Sequence, residues 1–294
     1  MIAILGAGSL GRLWAATLPA GQVAFVPRPG QATEPVHFRF CPIRGVTRPV
    51  TVPWLQSRQT PSLLLVTTKA GDTLTALNAN LPLIPTNTPV VLFQNGLGSQ
   101  QHATEAWPDH PILAATTTEG ANRPEADLTV HAGEGETWIG AMNASGEAHL
   151  AEVVRWLVQS GLNVHTESDI LSRLWQKLVI NAGINAFTAI LNCQNGQLLE
   201  HTFFQQWIDP LCQEISQLLN SAGQPEQTPD TLRARIENVA RKTAANTSSM
   251  LADVLAGRDT EIDFINGYLV RLGQQHGVDT QVNQMLTERV QHLK

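Results

Sequence analysis

The chain has 294 residues, 43% of them hydrophobic, which suits two domains with full cores. A formal net charge of −6 argues against a nucleic-acid-binding surface, and no apolar run approaches the length of a membrane span. Three scattered cysteines (Cys41, Cys193, Cys212) fit a reducing cytoplasm and offer no thiolate metal site, and the N-terminus has no cationic leader.

Residues 2–5 (IAIL) read as a short buried strand and residues 12–18 as the helix that follows. Between them Gly6-Ala7-Gly8-Ser9-Leu10-Gly11 makes a G-x-G-x-x-G turn in the strand–turn–helix setting that a dinucleotide site requires. Gly6 permits the tight turn, Gly8 lets backbone approach a pyrophosphate, and Gly11 lets helix and strand pack closely. A second strand at 22–26 ends in Val26-Pro27-Arg28, where an NAD site usually carries an acid for the ribose 2′-hydroxyl. Arg28 can pair with a 2′-phosphate, which favours NADP; its bland alternative is a surface arginine.

Strands at 63–67 and 90–93 run into Thr68-Lys69 and Gln94-Asn95-Gly96-Leu97-Gly98. Ligands of open parallel sheets lie beyond the carboxyl ends of the strands, so Lys69 and Asn95 become site candidates. Asn-Gly is also an ordinary turn pair. Further strands, partly antiparallel, are expected at 112–118, 129–131 and 137–141, then a helix at 148–160 and a strand at 164–166. The chain changes character near Ser168, so the expected domains are 1–167 and 168–294.

From Asp169 onward the sequence is almost wholly helical, with helices expected to 191 and at 203–222, 228–244 and 260–277, and a turn at 246–253. The stretch WQKLVINAGINAFTAIL carries Lys177, Asn181 and Asn185 at i, i+4, i+8, on one face of an otherwise apolar helix. Polar groups in such company are costly unless paired, which marks a ligand-facing wall or a structural amide pair. The chain has four lysines against fifteen arginines, so a plain surface-charge role for Lys177 is less expected. Asn246, Ser249 and Asp253 share one face if their turn is helical, with Asp253 alternatively a structural hydrogen-bonder. Glu261 is placed in the first turn of the next helix, favoured there by the helix dipole whether catalytic or only capping.

On these residues the chain resembles the ketopantoate reductase (2-dehydropantoate 2-reductase) family over essentially its whole length. The motifs are Gly6–Gly11, Lys69, Asn95–Gly98, the 175–191 helix, Asn246–Met250 and Thr260–Gly267. The resemblance implies an N-terminal Rossmann domain, then an all-helical domain of the 6-phosphogluconate dehydrogenase type, with the site in the cleft between them. It implies NADPH-dependent reduction of 2-dehydropantoate to (R)-pantoate, toward pantothenate and coenzyme A, by a cytoplasmic monomer or homodimer.

Carried over by position, Lys177 is the general acid and Glu261 its catalytic partner, also near the cofactor. Asn181 and Asn185 meet the hydroxyl end of the substrate, Ser249 its carboxylate, and Asn246 lies nearby. Asn95 sits between nicotinamide and substrate, Lys69 near the cofactor, and Arg28 on the 2′-phosphate. Many members carry a His where this chain has Glu119. The alternatives are a related reductase of another 2-keto acid and a non-catalytic NADPH-binding protein.

Other reductase chemistries fit worse. Tyr268 is the only tyrosine and position 272 is Leu, so no Tyr-x-x-x-Lys pair exists, and no histidine lies in either polar cluster. No metal is expected. Apolar surroundings should lower the Lys177 pKa while a nearby Glu261 raises it, which leaves the net direction open.

Overall fold

The computed structural model describes residues 1–28, 30 and 34–293. It contains two compact units, Met1–Gln94 with Ser99–Ile170, and Asn95–Gly98 with Leu171–Lys294.

In the first unit the strands are β1 (Ile2–Leu5), β2 (Val23–Phe25), β3 (Val36–Cys41), β4 (Arg48–Val52), β5 (Leu63–Val66) and β6 (Val90–Leu92). They continue with β7 (Ile112–Thr117), β8 (Gly120–Glu125), β9 (Leu128–Gly133), β10 (Glu136–Ala141) and β11 (Asn163–Thr166). Its helices are α1 (Ser9–Thr17), α2 (Ala70–Asn80), α3 (Ser99–Ala106) and α4 (Ala144–Leu157). A seven-stranded sheet runs β11-β10-β7-β6-β5-β1-β2, parallel throughout except where β10 meets β7. Every residue of β1, β5 and β6 is buried, as expected of strands covered on both faces. Trp14 of α1 is fully buried and packs on Phe93 at 5.5 Å between ring centres.

A smaller sheet, β4-β3-β9-β8, is tied to α1 by two arginines. Arg12 donates from Nη1 to Ala126 O at 2.8 Å and lies 5.0 Å above the Phe38 ring. Burial, aided by the charge of Arg123, brings its pKa down to about 10 against the pull of Asp127. Arg48 donates to Ala16 O at 2.5 Å, satisfying a carbonyl of the last turn of α1, and covers Phe40. The sequence reading has no strands at β3, β4 and β8 and no helices at α2 and α3.

The second unit holds most of α5 (Ile170–Leu191), then α6 (Thr202–Ser221), α7 (Pro229–Lys242), α8 (Ser249–Leu255), α9 (Asn266–His276) and α10 (Gln281–Gln291). Here α5 crosses α7 closely at Gly183, where an added Cβ would lie 2.5 Å from the Ile236 side chain. Phe187 packs edge-on against Phe204 at 5.1 Å. The turn expected at 246–253 is partly helical, because Ser248 caps α8 by accepting from the Leu251 N–H. The long helix expected from 260 is broken: a 3-10 turn at Ile262–Phe264 precedes α9, and Ile265 has φ −109° and ψ −93°. The reading also stops short of α10.

Among the described residues no helix is long and apolar enough to cross a membrane.

Candidate active site

In the first unit the glycine turn is built by close approach. Gly6 has φ +112°, and a Cβ on Gly11 would sit 2.0 Å from Gly6 O. Thr67, at the end of β5, braces the turn by donating its hydroxyl to Gly6 O at 2.7 Å. Sequence reasoning passed over Thr67; its place at the carboxyl end of a strand was the available signal. Above Gly8 a Cβ would meet nothing within 4 Å, and Gly8 caps α1 without a side chain. That leaves room and first-turn N–H groups for a phosphate, so these residues fit a dinucleotide.

Lys69 is partly buried and occupies the N-cap position of α2, its carbonyl accepting from the Thr73 hydroxyl at 2.9 Å. Arg28 is exposed, two residues past buried Val26. Glu119 has a partner of its own: its Oε2 lies 2.6 Å from His131 Nε2 on β9, with both side chains nearly buried.

In the second unit the Asn95–Gly98 loop is held on the turn that follows Glu261. Gly96 has φ +77°, and a Cβ there would lie 2.0 Å from Phe264 O. Leu97 N–H donates to that same carbonyl at 3.0 Å. Asn95 Nδ2 donates to Glu261 Oε2 at 2.9 Å. Glu261 is 8% exposed and stands at the N-cap of the 3-10 turn, not in the first turn of α9. The helix-dipole argument for it therefore fails; Asn95 donates to its carboxylate and the Lys177 charge lies within its field.

Lys177, Asn181 and Asn185 share α5, the first two partly buried and Asn185 buried. Burial lowers the Lys177 ammonium to about 8, and the negative charge of Glu261 opposes the shift without cancelling it. The direction that the sequence left open is thus downward. A lysine at that value beside a carboxylate can give up a proton near neutral pH.

The other polar cluster differs from expectation. Asn246 is exposed and precedes α8, so it does not share a helical face with Ser249 and Asp253. Ser249 is exposed at the start of α8, while the neighbouring Ser248 is the buried one, 2.7 Å from the Thr188 hydroxyl. Asp253 is buried and accepts from Arg258 Nε at 3.0 Å, which supports its structural reading. Asn195 went unnoticed in the sequence. Its N–H donates to Asn246 O at 3.1 Å, and among the described residues its buried Oδ1 has no donor.

Family models described as ketopantoate reductase PanE/ApbA match residues 2–144 and, for its C-terminal part, 169–294. The chain belongs to the ketopantoate reductase family. It is an oxidoreductase of a nicotinamide-dinucleotide family that acts on small molecules. The 2-dehydropantoate 2-reductase of Vibrio cholerae is 33% identical over 305 residues, covering 100% of this chain and 97% of that one. A probable 2-dehydropantoate 2-reductase from Bacillus subtilis superimposes with a TM-score of 0.81 at 29% identity, covering 100% and 99%. D-mandelate dehydrogenase, solved with NADH and anilino(oxo)acetate, superimposes at 0.88 with 23% identity, covering 99% and 97%, which is a likeness of fold.

Proposed function

We propose that this protein reduces 2-dehydropantoate to (R)-pantoate with NADPH in the cytoplasm, a step toward pantothenate and coenzyme A. The observation that carries this reading is buried Glu261 held by Asn95 at 2.9 Å, with the Lys177 charge of α5 in its field, in a chain of this family.

Reducing a ketone requires a hydride at the carbonyl carbon and a proton at its oxygen. NADPH supplies the hydride when bound. Gly6, Ala7, Gly8, Ser9, Leu10, Gly11 and Lys69 hold the dinucleotide, and Arg28 its 2′-phosphate. Lys177 Nζ hydrogen-bonds the keto oxygen, stabilises the charge that develops there, and passes its proton to it. Glu261 keeps the ammonium oriented and contacts the cofactor. Asn95 holds Glu261 and contributes to both cofactor and substrate binding. Asn181 and Asn185 bind the hydroxyl end of the substrate, and Ser249 with Asn246 its carboxylate. Lys177 then regains a proton from water.

The test is NADPH oxidation followed by absorbance with 2-dehydropantoate, with NADH and 2-oxoisovalerate as parallel arms. Rapid turnover in the first arm and poor turnover in the others is the expected result. Preference for 2-oxoisovalerate moves the assignment to another 2-keto acid, and NADPH binding without any turnover overturns catalysis.

A further inference from the structure

A buried chain of hydrogen bonds in the second unit ends on the helix that carries Lys177. Glu214 of α6 accepts from Val282 N–H at 2.6 Å, from Asn283 N–H at 3.0 Å and from Asn283 Nδ2 at 2.8 Å. A carboxylate offers only acceptors to such donors, so Asn283 must turn its NH₂ toward Glu214 and its Oδ1 away. Asn266 Nδ2 donates to that Oδ1 at 3.1 Å and also to Ala182 O at 3.3 Å. Both asparagines are fully buried, and among the described residues Asn266 Oδ1 has no partner. An amide that leaves its own buried oxygen unpaired is held in that orientation by its neighbours.

The two ends of the last bond matter. Ala182 follows Asn181 on α5, and Asn266 opens α9 directly after the turn that Glu261 begins. The bond therefore cross-links the segment bearing Lys177 to the segment bearing Glu261, across the irregular residue Ile265.

We propose that Asn266 is a positioning residue for the Lys177–Glu261 pair, with its amide orientation dictated from Glu214 through Asn283. This rests on the role of Lys177 proposed above. Burial raises the Glu214 pKa, against its three N–H donors, and Asp279 is the charge that adds to the rise. Replacing Asn266 with Leu keeps the volume but removes the NH₂, so Ala182 O and Asn283 Oδ1 both lose their donor.

The test reads Lys177 directly. The chain has four lysines, so ¹³Cε-lysine NMR resolves few signals, and loss of one in Lys177→Met assigns it. In the wild type this signal is expected to titrate near 8. In Asn266→Ala and Asn266→Leu it is expected to move up by at least about 0.5 as water reaches the ammonium, with kcat lowered. Folded variants whose Lys177 titrates as in the wild type overturn the proposal. Should Asn266→Ala fail to fold, the near-isosteric Asn266→Leu still decides it. Absence of 2-dehydropantoate turnover by the wild type would strike the functional reading alone, because the titration needs no substrate.

Discussion

Lys177→Met should make the protein more stable at neutral pH while removing its activity. Removing one member of a buried ion pair usually costs several kcal/mol, because it strands the other charge. Here the ammonium falls from 10.5 to about 8 even with Glu261 beside it, so desolvation exceeds the attraction. A fall of that size is worth about 3 kcal/mol, which the fold spends on keeping Lys177 charged. Glu261 keeps the Asn95 amide as a donor in the variant. The sign follows from linkage: between pH 8 and 10.5 the unfolded chain holds a proton that the folded chain has lost, so wild-type stability rises with pH there. The penalty is complete below 8 and fades toward 10.5. Urea melts of wild type and Lys177→Met at pH 7 and pH 10 should show the variant ahead by up to about 3 kcal/mol at pH 7, and the gap closing at pH 10. A gap that does not change with pH, or a variant less stable at pH 7, would refute the reasoning.

Other outcomes follow from the same geometry. With the Lys177 ammonium in its proposed role of proton donor, keto-acid reduction at saturating NADPH should decline as pH rises through about 8; a flat profile from pH 7 to 9.5 excludes Lys177 as the acid. Arg28→Ala should raise the KM for NADPH by about 10- to 100-fold, the loss of a charge-assisted contact, and leave the KM for NADH nearly unchanged. Gly96→Ala places a Cβ on Phe264 O at a positive φ, and should cost about 1–3 kcal/mol in thermal or urea melts with a larger loss in kcat than in KM.

The legible parts of this chain are those where one local pattern suffices. The apolar runs of β1, β5 and β6 and the glycine turn follow from composition and spacing alone. So does the α5 face that carries Lys177, Asn181 and Asn185. The β3–β4 hairpin was hidden because Pro42 and Pro49 interrupt the alternation; β4 is an edge strand, where a missing N–H is tolerated. The break at Ile265 is followed directly by Asn266-Gly267, a turn pair that a helix over 260–277 overrides, and this is why Glu261 was misplaced. The partners of the Asn95–Gly98 loop were out of reach for a different reason. They depend on the Phe264 carbonyl and the Glu261 carboxylate, more than 160 positions away, and no spacing rule reports such a meeting.

The excursion of Asn95–Gly98 into the second unit bears on how this protein can be taken apart. The chain enters that unit, leaves after four residues and returns at Leu171, so the helical half is discontinuous in sequence. A fragment starting at Leu171 would lack the amide that holds Glu261 and the N–H that occupies Phe264 O. The segment from Leu171 onward is therefore not self-sufficient. A gene fusion or recombination that exchanged only the C-terminal segment would set the helical unit against a foreign four-residue loop, so the native Asn95–Gly98 loop would have to travel with it.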